Sequence, residues 1–298
     1  MADARHGLLS GLIDYAGLFP PADLDLPTAL RRYDAHQHGD QAWMLGRFVL
    51  PAARLGELVP WLAGPWTASR PLSLSLLATA DDLSDVAVMM AEHAAVRVEA
   101  LELKVPDADV TAWLDRLAGA VSVAGLEAAE VYVELSSEND REVLAALAAE
   151  RESFPARRLG GKLRCGGVRP DLVPPVERVA DVLVTARDAG VPLKFTAGLH
   201  HPVRAMDRVG PAPMHGFFNV YAAHLMAYVH GLSASALVEI LGEDDPTAFR
   251  LTPTDMAWRH CSITAEQVAA LRATVAAGFG SCSFADPVTD LQTLGLLP

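Results

Sequence analysis

The chain has 298 residues, 51% of them hydrophobic and 20% charged, which supplies apolar material for a large core and argues against a disordered polypeptide. Its 24 basic and 37 acidic residues leave a formal net charge of −13, which repels nucleic-acid phosphate and anionic membrane, and no run of lysines or arginines offsets it. Three scattered cysteines without a CxxC exclude a disulfide framework. Neither the opening MADARHGLLSGLIDYAGLF nor FFNVYAAHLMAYV (217–229) reads as a leader or a membrane span, so a cytoplasmic location without membrane or nucleic-acid partners is expected.

In chain order, apolar runs bounded by turn residues predict eight strands: GLIDYAGLF (11–19), GRFVLP (46–51), LSLSLLA (72–78), ALELKVP (100–106), VYVELS (131–136), GGKLRCGG (160–167), PLKFTAGL (192–199) and GFGSCSF (278–284). The first seven begin roughly 30 residues apart, the length of one βα unit, and a gap nearly three times longer precedes the eighth. Between them, helices are predicted over 26–36, 52–63, 82–95, 109–121, 141–151, 174–190 and 264–278, with Asn139 and Asp140 suited to cap the fifth. Alternation of this kind implies parallel pairing, and eight units imply one α/β domain over 1–298, a closed (β/α)8 TIM barrel. An open doubly wound sheet is disfavoured because no GxGxxG turn follows the first strand. Residues 200–262 read as an insertion after the seventh strand, leaving from the C-terminal rim where barrel active sites are built. The insertion carries six of the ten histidines.

Both faces of a parallel barrel strand are covered, so ionised residues within these runs need a reason. If Leu101, Leu103 and Val105 face the helices, the period of two turns Glu102 and Lys104 inward. It likewise turns in Tyr132, Glu134 and Ser136, Lys162 and Arg164, and Lys194 and Thr196. The four cations outweigh Glu102 and Glu134, so the expected guest is a small carbonyl compound, anionic or polyhydroxylated. Lysines on adjacent strands suggest imine chemistry. A second ammonium about 4 Å away would lower a lysine pKa by about three units, enough to expose the neutral amine near pH 7. Lys162 and Lys194 are expected to serve each other in this way, with Glu102, or Glu134, moving protons.

These residues resemble the deoxyribose-phosphate aldolase family of class I aldolases. GLIDYAGLF is similar to that family's I-D-H-T-like first strand. Glu102 in ALELKVP stands at the position of its catalytic aspartate. Lys162 followed by Gly166 is similar to its K-T-S-T-G-like Schiff-base strand, and Lys194 in LKFTAG to its K-A-S-G-G. Gly280, Ser281 and Ser283 are similar to its G-T-S-like phosphate contact. The resemblance implies a (β/α)8 barrel and a carbon-carbon lyase with Lys162 as nucleophile, Lys194 as partner or alternative nucleophile, and Glu102 as proton carrier. Lys104, Glu134, Arg164, Thr196, His200, His201, Ser281 and Ser283 are then expected to bind substrate, with no cofactor. Glutamate in place of aspartate, Arg164 within the nucleophile strand and LHHP in place of a glycine-rich turn depart from the family and leave substrate phosphate open.

Other features carry plainer readings. His215, Asn219, His224 and His230 suit packing or capping, and the HxH of DAHQHGD (34–40) suits a helix end. A metal site from Glu102, Glu134 and rim histidines is an alternative without motif support, so no metal is assigned. Glu102, Lys104 and Asp107 resemble the D-x-K-x-x-D of the orotidine-monophosphate decarboxylase suprafamily, which implies an acid-base lyase, isomerase or decarboxylase instead. A non-catalytic small-molecule binder is the third alternative, and a homo-oligomer is compatible with all three.

Overall fold

The predicted strands carry apolar residues at alternate positions, a face that the predicted helices can cover, and charged or small residues at the positions between them. A computed structural model, describing residues 3–106, 109–206 and 213–297, closes them into a parallel barrel. The barrel strands are β1 (Ile13–Tyr15), β2 (Leu45–Pro51), β3 (Leu72–Ala78), β4 (Val96–Lys104), β5 (Glu130–Glu134), β6 (Arg158–Arg164) and β7 (Leu193–Thr196). The eighth is β13 (Ala276–Ser281), which pairs with both β1 and β7. The fold is the expected (β/α)8 TIM barrel.

Helices α2 (Leu26–Gln37), α3 (Leu83–Glu92), α4 (Val110–Val123), α5 (Asp140–Glu150) and α6 (Val176–Ala189) follow the predicted segments closely, whereas α1 (Ala4–Leu9), ahead of the first strand, was not predicted. Asp25 caps α2 by accepting from Thr28 N, and Asp109 caps α4. Asn139 occupies the N-cap of α5 but spends its Oδ1 on Ser136 N and Oγ, so it shapes the preceding turn instead of capping the helix. The segment after β2 forms a 3-10 helix over 52–61 with Pro60 inside it.

Only part of the 200–262 segment stays at the rim. The short β8 (Ala205–Met206) and β9 (Pro213–Met214) pair antiparallel, and Met214 lines the barrel mouth. Helix α7 (Phe217–His230) then runs antiparallel to the strands, as the usual wall helix after β7. Helix α8 (Ala234–Gly242) and the antiparallel sheet β10 (Phe249–Leu251), β11 (Asp255–Trp258) and β12 (Cys261–Thr264) lie outside α7 and lead into α9 (Ala265–Thr274). This second layer explains why Phe217 to Ala227 are buried around the whole circumference of α7. Asn219 fastens the layers: its Oδ1 accepts from Arg204 N, and its Nδ2 donates to the carbonyls of Ile240 and Glu243. His215, His224 and His230 each use Nε2 on a carbonyl, those of Pro174, Val275 and Ser262, in the packing role expected of them. Helix α10 (Ala285–Thr293) follows β13. Among the described residues no helix is long and apolar enough to cross a membrane.

Most of the apolar core lies between strands and helices. Inside the barrel it shrinks to a small separate cluster of Ala100, Tyr132 and Ala277, beside which Asp14, Glu102, Glu130, Lys162 and Lys194 are buried.

Candidate active site

A cavity of about 360 Å³ opens at the C-terminal ends of the strands. The predicted residues Glu102, Lys104, Glu134, Lys162, Arg164, Thr196 and His200 all line it. Lys162 and Glu102 form its buried floor, whereas the Lys104 side chain is 79% exposed at the mouth. Its acid-base partner Asp107 in the alternative motif lies outside the described residues.

Lys162 Nζ stands 3.0 Å from Glu102 Oε2 and 3.2 Å from Glu134 Oε2. Lys194, 0% exposed and absent from the lining, lies beneath them. It pairs directly with Asp14 Oδ2 and stands 3.6 Å from Glu102 Oε1. Glu102 therefore separates the two lysines, offering a different oxygen to each, and Ser75 Oγ donates to Oε1 at 2.6 Å. This arrangement corrects the expectation that the amines depress one another. Burial alone lowers the pKa of Lys162, but Glu102 and Glu134 outweigh it and hold the amine above its ordinary value. Burial would raise the Glu102 carboxyl, yet Lys162, Lys194 and the Ser75 hydroxyl draw it down to about 2. The resting site thus holds an ammonium and a carboxylate.

The ionic contacts continue in both directions. Arg47 N donates to Asp14 Oδ1 at 2.7 Å, and its guanidinium lies 3.9 Å from Asp14 Oδ2 and 2.7 Å from Glu130 Oε2. At the mouth, Lys104 Nζ is 3.9 Å from Glu134 Oε1. Glu130, Arg47, Asp14, Lys194, Glu102, Lys162, Glu134 and Lys104 form one column of alternating charge through the barrel interior. Such a column satisfies each buried ion only while its neighbours stay in place.

Two glycine positions make the packing possible. A methyl group at Gly46 would sit 2.3 Å from Asp14 Oδ1, so glycine admits the carboxylate against the β2 backbone. After β7, Ala197 and Gly198 take left-handed φ values of 61° and 72°. A Cβ at Gly198 would fall 2.6 Å from the Gly166 Cα and 2.4 Å from Met214 Cε. The loops after β6 and β7 can therefore meet only at glycine.

Three expected substrate contacts lie elsewhere. A register shift in β13 between Ala276 and Phe279 changes which residues face inward. Ala277 joins the interior cluster, while Phe279 stacks outward on Phe217. Ser281, two residues on, shares that outward parity and is absent from the cavity lining. Ser283 Oγ accepts from Asp286 N at the start of α10, and His201 Nδ1 is 2.6 Å from Asp290 Oδ2. Neither lines the cavity. His200 does, with Nδ1 3.7 Å from Cys282 Sγ.

Sequence reasoning missed Asp14, Ser75 and Arg47 as parts of this site. Asp14 carried the same signal as the others, a charge between apolar neighbours in a parallel strand, and Ser75 the same alternation within LSLSLLA. Among the described residues, no group of three histidine, cysteine or acidic side chains is arranged to hold a metal ion. Compared with protein-family models and with curated proteins, the chain finds no match.

Proposed function

We propose that this protein is a carbon-carbon lyase of class I aldolase type, with Lys162 as the imine-forming nucleophile. The observation that supports this reading best is a lysine amine on the buried floor of a rim cavity, held between two carboxylates able to take and return its proton. Lys194 has the same chemistry but lies out of substrate reach, so it acts as a positioning residue that holds Glu102.

Burial and the carboxylates act on Lys162 in opposite directions. Transfer of its proton to Glu134, the more exposed of the two, removes one opposing charge, and burial then favours the neutral amine. The amine adds to the substrate carbonyl, and the carbinolamine loses its oxygen as water after protonation. The iminium draws in the electron pair of the carbon-carbon bond as the β-hydroxyl loses its proton, releasing a carbonyl product and leaving an enamine. Protonation of the enamine carbon and hydrolysis of the resulting imine free the second product.

Reductive trapping tests the reading: borohydride with a carbonyl compound is expected to fix an adduct on Lys162 by peptide mass spectrometry, and its absence there would overturn it. The raised pKa of Lys162 also favours a second reading, in which the ammonium stabilises an enolate during proton transfer without an imine. That reading expects no adduct, together with solvent deuterium exchange at the carbon beside the substrate carbonyl.

A further inference from the structure

The cavity is divided by strand. Its charged lining comes from β4 to β6, while the chain from β1 to β3 contributes apolar groups, among them Phe19, Pro21, Val49 and Leu77. Arg164 stands out among the charges. It follows Lys162 by two positions on the same face of β6, about 6.6 Å along the strand. Its contact within the protein is with the Gly166 carbonyl, at 3.0 Å. Among the described residues it has no carboxylate within ion-pair distance, whereas Lys104 and Lys162 both do.

We infer, building on the imine reading, that the substrate is a 2-oxo acid carrying an apolar group. The guanidinium fork takes the carboxylate, a geometry it matches with two parallel hydrogen bonds. The adjacent carbonyl then meets Lys162, because the two protein groups are near neighbours on one strand. The remaining chain is directed against Val49 and Leu77 on the opposite wall, where burial of apolar surface is favourable. In the lyase direction a 4-hydroxy-2-oxo acid is cleaved between C3 and C4. The C4 hydroxyl loses its proton, C4 departs as an apolar aldehyde, and C3 retains the electron pair and is protonated to give pyruvate. Ser281 and Ser283 do not line the cavity, so neither hydroxyl supplies a phosphate contact to this guest.

The test is reductive trapping on the full chain with pyruvate, phenylpyruvate, phenylacetone and glyceraldehyde 3-phosphate, with each rate divided by that for acetone. Both oxo acids are expected to exceed phenylacetone about tenfold or more, and Arg164→Met to abolish that ratio. Leu77→Asn is expected to lower the phenylpyruvate-to-pyruvate ratio. A preference for the phosphorylated aldehyde, or an oxo-acid preference that survives Arg164→Met, overturns the inference. If no carbonyl is trapped, the imine reading fails, and calorimetry then decides the inference alone. Tighter binding of phenylpyruvate than phenylacetone, lost in Arg164→Met, supports it, and equal or absent binding overturns it.

Discussion

Lys194 on β7 and Asp14 on β1 form an ion pair although β13 runs between their strands. Contact across an intervening strand requires that strand to contribute almost nothing inward. β13 meets this requirement with Ala277 in the interior and Gly280 at the level of Asp14 and Thr196. The pair anchors the lower half of the charge column on which Glu102 and Lys162 are set.

Lys162→Arg keeps the charge between Glu102 and Glu134 but cannot form an imine. It is expected to fold with a melting temperature near that of the parent, to give no reduced adduct, and to lose activity by about a thousandfold or more. An adduct that moved to Lys194 would identify the wrong nucleophile.

Removing one member of a buried pair leaves its partner uncompensated. Lys194→Met is expected to cost about 3–5 kcal/mol of stability in urea unfolding. The double variant Lys194→Met with Asp14→Asn should recover part of that loss, because both charges of the pair are then gone. Strict additivity of the two single changes would show that the pair carries no coupling.

Acid stability follows from Glu102. Its carboxyl is held at about 2 in the folded state against an ordinary value of 4.5, so its contribution is complete above 4.5 and is lost as pH falls toward 2. The contribution is on the order of 3 kcal/mol. Glu102→Gln should flatten the dependence of unfolding free energy on pH across that window, and an unchanged slope would refute the assignment.

Lys162 gives the opposite sign. Its raised pKa adds stability below the ordinary lysine range, which is lost as pH rises through the folded value. Imine formation needs the neutral amine, so trapping rates should climb with pH. Glu134→Gln removes one of the two carboxylates that hold the proton, and should move that climb to lower pH.

Gly198→Ala must accommodate a methyl group against backbone at a left-handed φ. A stability loss of about 1–3 kcal/mol is expected, with a larger fall in kcat than the loss in Tm explains, since the loop leads from Thr196 at the end of β7 to His200, both beside the cavity. Gly46→Ala should act similarly through displacement of Asp14, read as a change in the pH profile of trapping.

The barrel was legible because its signal is periodic and long: hydrophobic runs at a constant spacing, separated by helical segments. The inward charges of β4 to β7 were legible for the same reason, since alternation carries through the C-terminal halves of these strands, past the irregularity of β4 between Val98 and Ala100. Ser281 and Ser283 were expected from the family resemblance and not from alternation, and the structure places both outside the cavity lining; alternation counted from the outward Phe279 puts Ser281 outward as well. The pairing of charges was beyond the sequence as well. Alternation says that Lys162 and Lys194 face inward, but only the relative height of β4 and β7 decides that Glu102 stands between them. His201 followed the strand as expected, yet its partner Asp290 comes from a helix 89 residues on, a contact that spacing cannot reveal.

The split lining of the cavity lets selectivity and reactivity be inherited separately. Exchanges at Phe19, Val49 or Leu77 alter which guests are welcome without disturbing an ion that must remain balanced. On the aldolase reading, descendants of this barrel would be free to change diet while keeping the same column of charge.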